Sequence, residues 1–228
     1  MPAHARAQSL GDLAAWDALV VSPIGALPAA GSSMAVLTGA GASLTMQYGR
    51  WRYDADDAIH NDAGLTLSAP LGGRTRISAT IATLSLSCGD CASWLSGGVD
   101  VRSRLLRRTL VGANDEGAVA ELGLRVSAGG ARYSGDGSAV AGSLAGILPL
   151  SISFPFVHSS RMELGVQPGV GVGRLSSADN DAYGTLPLVG ASATWTFGPR
   201  VGIEASVQRI VLASAPSQVG LSITWGRR

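Results

Sequence analysis

VGIEASVQRI, residues 201–210, is the stretch on which the reading of this chain turns. Val201, Ile203, Ala205 and Val207 fall on one parity, and Gly202, Glu204, Ser206 and Gln208 on the other. A period of two is that of a β-strand, whose successive side chains point to opposite faces. One face is greasy; the other is small or polar. Downstream, Val219, Leu221, Ile223 and Trp225 oppose Gly220, Ser222 and Thr224. Upstream, Val189, Ala191, Ala193, Trp195 and Phe197 repeat the greasy parity. Before them, Met162, Leu164, Val166, Val170 and Val172 stand against Glu163, Gly165, Gln167, Gly169, Gly171 and Gly173.

Carried back to residue 34, the rule predicts ten strands: 34–53, 63–71, 75–87, 98–110, 117–129, 138–156, 161–175, 185–198, 200–211 and 217–227. Eight is the alternative count if two segments merge. Two details qualify the pattern. The greasy phase shifts between Ile81 and Leu84, which predicts a bulge near Ala82. Pro149 and Pro155 interrupt 138–156, and a proline removes a ladder hydrogen bond, so a bend or strand end is expected there.

The polar faces say which way the sheet turns. A soluble sandwich also alternates, but it dresses its solvent face with charged and long polar side chains. Here that face is glycine, serine and a few isolated charges, which suits the crowded inside of a narrow closed barrel. Composition agrees. Charged residues are 14% of the chain and hydrophobic ones 46%, where a soluble domain carries about 25% charged. All 17 basic residues are Arg, balanced by 16 acidic ones to a net charge of +1, so there is no basic stripe for nucleic acid. No apolar run is long enough for a transmembrane helix, and the 31 glycines follow no collagen period. The predicted fold is therefore all-β, a closed antiparallel transmembrane β-barrel over 33–228, with outer-membrane lipid around it. Connector lengths alternate between long and shorter, as in barrels whose long loops are extracellular. Residues 1–32 precede the barrel; MPAHARAQS reads either as the tail of a signal peptide or as a loose N-terminus.

The end of the chain, PSQVGLSITWGRR, is similar to the closing strand of small bacterial outer-membrane β-barrel proteins, which ends on an aromatic residue. Here Trp225 is followed by Gly226, Arg227 and Arg228, a departure from that ending. The resemblance is one of pattern over 34–228. It implies an outer-membrane location and a barrel-insertion machinery as partner during biogenesis, and it carries no activity.

The polar parity supplies the candidate site: Arg102, Arg104, Glu121, Arg125, Glu163, Gln167, Glu204 and Gln208, expected as a luminal network that plugs the barrel, with a selective pore lining as the rival reading. Cys88 and Cys91, in CGDC, have redox spacing but follow a strand, whereas thiol catalysis wants a helix N-terminus. A loop-pinning disulfide or two free thiols is preferred. In the first long connector, DADDAIHND gathers Asp54, Asp56, Asp57 and Asp62 around His60. It reads first as a solvated loop, and otherwise as a hard-cation site or an Asp and His pair for water activation. His158 with Ser159 or Ser160 lacks an acidic partner. GVGVGR, 169–174, lies in a strand and has no helix to hold a phosphate. No catalytic, metal or cofactor site is expected. The leading expectation is a non-enzymatic barrel with an envelope-structural, surface-interaction or limited small-solute passage role, reaching an extracellular partner through its long loops. The alternatives are a rim-located hydrolase and a soluble periplasmic barrel binding an apolar ligand.

Overall fold

The computed structural model describes residues 41–52, 59–86, 94–112, 117–133, 139–157, 160–177, 181–198, 200–211 and 217–226. They form β1 (Ser43–Arg52), β2 (Ile59–Pro70), β3 (Thr75–Leu86), β4 (Trp94–Val111), β5 (Ala118–Tyr133), β6 (Ala139–Ile147), β7 (Leu150–Pro155), β8 (Ser160–Ser177), β9 (Asp181–Phe197), β10 (Val201–Ile210) and β11 (Ser217–Gly226). The strands pair antiparallel in sequence order, with β6 and β7 both set between β5 and β8, and β1 pairs with β11 from Ser43 opposite Gly226 to Arg52 opposite Ser217. The sheet has closed on itself. Closure leaves no free edge along the β1–β11 seam, which is what a sheet surrounded by lipid requires.

β6 and β7 occupy one place in the ring. Both lie between β5 and β8, β6 against residues 125–132 of β5 and β7 against residues 119–122. Together they are one stave broken at Leu148 and Pro149, so the eleven strands make a ten-stave barrel and the eight-strand alternative falls. Pro149 has no N–H to give the ladder. The gap is stitched by the Leu148 amide donating to the Pro168 carbonyl at 2.9 Å and the Gly123 amide donating to the Pro149 carbonyl at 2.8 Å.

Several expected boundaries move. The segment read as 34–53 is β1 from Ser43, with 34–40 outside the described residues. β8 runs to Ser177 and β9 starts at Asp181, so most of the long loop expected there is strand. The bulge expected near Ala82 does not occur: β3 holds one register against β2 and β4 through Leu84, which faces inward and is buried. Inward apolar residues are tolerated at that level because the row running from Ala82 through Ser96 and Ala131 to Ala141 lines the lumen with small side chains. The register shifts lie on β4 instead, between Arg104 and Leu106 and between Thr109 and Val111.

The faces divide as the alternation predicts. Leu44, Met46, Leu65, Leu67, Val99, Val101, Leu164, Val166, Leu221 and Ile223 are all exposed, while Ser43, Thr45, Thr66, Ser68, Asp100, Arg102, Glu163, Thr194, Glu204 and Ser222 are all buried. This is the reverse of a soluble domain. The arrangement with greasy faces around an internal apolar ligand is therefore overturned: apolar side chains point out and polar ones in. β1, β2, β3, β10 and β11 have 10 to 12 residues, and strands of that length tilted by about 40° rise roughly 25–30 Å. Aromatic rings gather at the two ends of the wall. Trp94 and Tyr133 meet at 5.3 Å with tilted rings at one end; Phe156, Trp195 and Phe197 cluster at the other, with centroids 5.6 and 4.5 Å apart.

Candidate functional site

The site is the lumen. Seven of the eight residues singled out from the sequence, Arg102, Glu121, Arg125, Glu163, Gln167, Glu204 and Gln208, are buried inside the barrel, and Arg104 is half-buried at its mouth. The strands place them there by parity. Arg102 and Arg104 share the inward face of β4; Glu121 and Arg125 share that of β5. Glu163 and Gln167 lie on β8, Glu204 and Gln208 on β10.

The residue that joins them was not among the eight. Asp100, 1% exposed, accepts from Arg102 Nε at 2.7 Å, and Arg125 Nε, on an equally buried residue, approaches the same oxygen at 3.5 Å. Glu204 lies within electrostatic reach of Arg125 and accepts a hydrogen bond from Thr194 Oγ1 at 3.2 Å. Towards the mouth, Glu121 takes Arg104 at 3.4 Å and Arg107 at 3.3 Å. Asp100 thus pairs with Arg102 and Arg125, and Glu121 with Arg104 and Arg107, while Glu163 and Glu204 are buried on the same inner wall. An isolated buried charge costs several kcal/mol, about what a well-placed partner returns. Asp100 was legible as a polar residue between Val99 and Val101. What the sequence withholds is that β3, β4 and β5 bring Ser78, Asp100 and Ser127 to one row.

Around the charged cluster the lining is mostly hydroxyl-bearing. Thr45 and Thr224 share a hydrogen bond of 2.8 Å, as do Thr66 and Thr80, and Ser68 donates to Ser78 at 2.8 Å. Arg76 closes one end, donating to the Gly41 carbonyl at 2.9 Å and to Ser43 Oγ at 3.2 Å. Nearer the other end Gln218 Nε2 donates to Asp62 at 3.1 Å. Gly49 makes room for that pair, because a Cβ there would stand 1.9 Å from Asp62 Oδ1 and 2.5 Å from Gln218 Nε2.

This corrects the reading of the first long connector. β2 begins at Ile59, so His60 and Asp62 are strand residues and Asp62 turns into the lumen, away from any loop cluster. Asp54, Asp56 and Asp57 lie outside the described residues, as do Cys88 and Cys91, His158 and Ser159. Ser160 is buried at the start of β8, where its hydroxyl bonds the Val157 carbonyl and accepts from the Val157 amide at 3.1 Å. That is a turn contact.

No family model matches the sequence, and no curated protein is significantly similar to it. Among solved structures, the chain is similar to the N-terminal β-barrel domain of Pseudomonas aeruginosa OprF, at 13% identity over 81% of this chain and 97% of that one, with a TM-score of 0.34. It is similar to the attachment invasion locus protein Ail of Yersinia pestis, at 12% identity over 82% and 97%, TM-score 0.35. The outer membrane protease OmpT of Escherichia coli is 8% identical over 82% and 95%, TM-score 0.37.

Proposed function

We propose that this protein is an integral outer-membrane β-barrel whose lumen is closed by its own charged side chains, and that it works through its wall and its loop end. The observation that carries the reading is the inversion of the wall, with apolar side chains outside and buried, mutually paired carboxylates and guanidinium groups inside. Lipid is the solvent that makes the outer face favourable. Rings at both ends and strands of 10 to 12 residues support the same placement. Of the roles expected from the sequence, an envelope-structural or surface-interaction role fits a plugged lumen better than solute passage. β8 and β9 bear on this, since they have 18 and 17 residues, well beyond the 10 of β1, and carry a hairpin past the lipid belt towards any external partner.

The test has two readouts on one sample. Envelope-fraction protein is run in SDS with and without boiling, and the unheated form is then inserted into planar bilayers. A heat-dependent shift without steady conductance is expected. A soluble protein without a shift overturns the membrane placement, and a stable open channel overturns the plug.

A further inference from the structure

At the end of the barrel that carries Gly226, β4 outruns its neighbour. β3 begins at Thr75 opposite Ser103, and the next contact across that seam is the Arg104 amide donating to the Arg74 carbonyl at 2.8 Å. From there to Val111, β4 pairs only with β5 among the described residues. The register shift between Arg104 and Leu106 adds Leu105 to the strand, and a bulge of this kind re-aims the side chains around it. Leu105 and Leu106 are both exposed, at 51% and 60%, where strict alternation would turn one of them inward.

Below the seam the bulge leaves a cleft of about 280 Å³ lined by Arg74, Arg104, Leu105, Leu106 and Arg107. Glu121 reaches Arg104 and Arg107 from inside, at 3.4 and 3.3 Å. Three guanidinium groups thus line the cleft, with the Glu121 carboxylate behind two of them, and two exposed leucines edge its mouth.

We propose that this cleft binds the anionic phosphate headgroup of a membrane lipid, with the phosphate among Arg74, Arg104 and Arg107 and the acyl chains leaving over Leu105 and Leu106. Guanidinium forks match phosphate oxygens in a bidentate way that a point charge does not. The volume takes a headgroup but not its tails, so the chains must lie along the outer wall. The paired leucines are what separate a lipid from a free phosphate ester of the same chemistry. This inference rests on the membrane placement proposed above.

The experiment is native mass spectrometry of the full-length protein in detergent with phosphatidylglycerol added, phosphatidylcholine as the zwitterionic control and glycerol phosphate as the tail-free competitor. One phosphatidylglycerol per barrel is expected to survive transfer, phosphatidylcholine is lost, and equimolar glycerol phosphate does not compete. Arg74→Gln lowers retention roughly tenfold, the loss of one charged hydrogen-bond partner, while Arg200→Gln, at another exposed arginine, leaves it unchanged. Equal retention in wild type and Arg74→Gln, equal retention of the two lipids, or no retention by wild type overturns the site. Displacement by glycerol phosphate overturns the lipid as its source. Heat-dependent gel mobility of each sample separates these results from a failure to form the barrel, because Arg74 lies in an exposed turn and its substitution keeps the shift.

Discussion

The two faces of the same ten staves obey opposite rules. On the outside, Leu164, Val166 and Leu221 are exposed and have no partner to satisfy, so any apolar residue of similar size serves and a charge does not. On the inside, Asp100, Arg102 and Arg125 are set by one another at 2.7 and 3.5 Å, and a change at one strands the rest. Side chains one residue apart on a strand therefore differ in what they tolerate. The outer wall is specified by its solvent, the inner wall by its partners.

The largest break comes from inside. Arg125→Met removes one of the cations that hold Asp100, and losing one partner of a buried ion pair costs about 3–5 kcal/mol. Urea unfolding of the detergent-refolded variant should show a loss of that size, and Asp100→Asn combined with it should recover part of the loss. An unchanged midpoint for the single variant would mean the cluster is not coupled. Next is a charge outside. Val166→Arg, near the middle of the outward apolar run of β8, should cost about 2–4 kcal/mol when folding is measured into lipid bilayers, and much less in detergent, whose micelle deforms around it.

Glycine gives the finest comparison. At Gly169 a Cβ would meet the Gly146 carbonyl at 2.7 Å and Ile147 Cγ1 at 2.9 Å, whereas at Gly146 nothing lies within 4 Å. Gly169→Ala should destabilise by about 1–3 kcal/mol as overpacking does, and Gly146→Ala by less than about 0.5 kcal/mol. Equal effects would contradict the assigned facing of β6 against β8.

The smallest effect belongs to the exposed hairpin, where Arg174 donates to Asp181 at 2.9 and 2.6 Å beyond the apolar run. Arg174 holds the Asp181 carboxyl below its ordinary value by hydrogen bonding. A lowered carboxylate pKa gives stability that is present above the unfolded value and lost as pH falls through the folded one. The pair should therefore stay intact at neutral pH, and Arg174→Ala should leave the unfolding midpoint there unchanged, since exposed pairs contribute little.

Facing was legible because it is local: two residues suffice to define a parity, and VGIEASVQRI states it four times over. The broken stave was legible for the same reason, since Pro149 cannot donate whatever its neighbours are. Register was not. Asp100 reaches Arg125, and Arg107 reaches Glu121, only once β4 and β5 are laid side by side, and Arg76 reaches Ser43 only across β2. Strand ends were misread where strands continue past the apolar alternation, because polar residues such as Asp62 and Asp181 resemble loop residues there.

The most direct measurement attaches a fluorophore to single cysteines in a background with Cys88 and Cys91 replaced by serine, and reads its quenching by brominated lipids. Probes at Leu164 and Leu221, outward on β8 and β11, should be strongly quenched, while those at Ser192 and Ser222, inward on β9 and β11, should not be. Quenching of all four, or of the serine positions alone, would contradict a closed barrel that faces lipid with its apolar side.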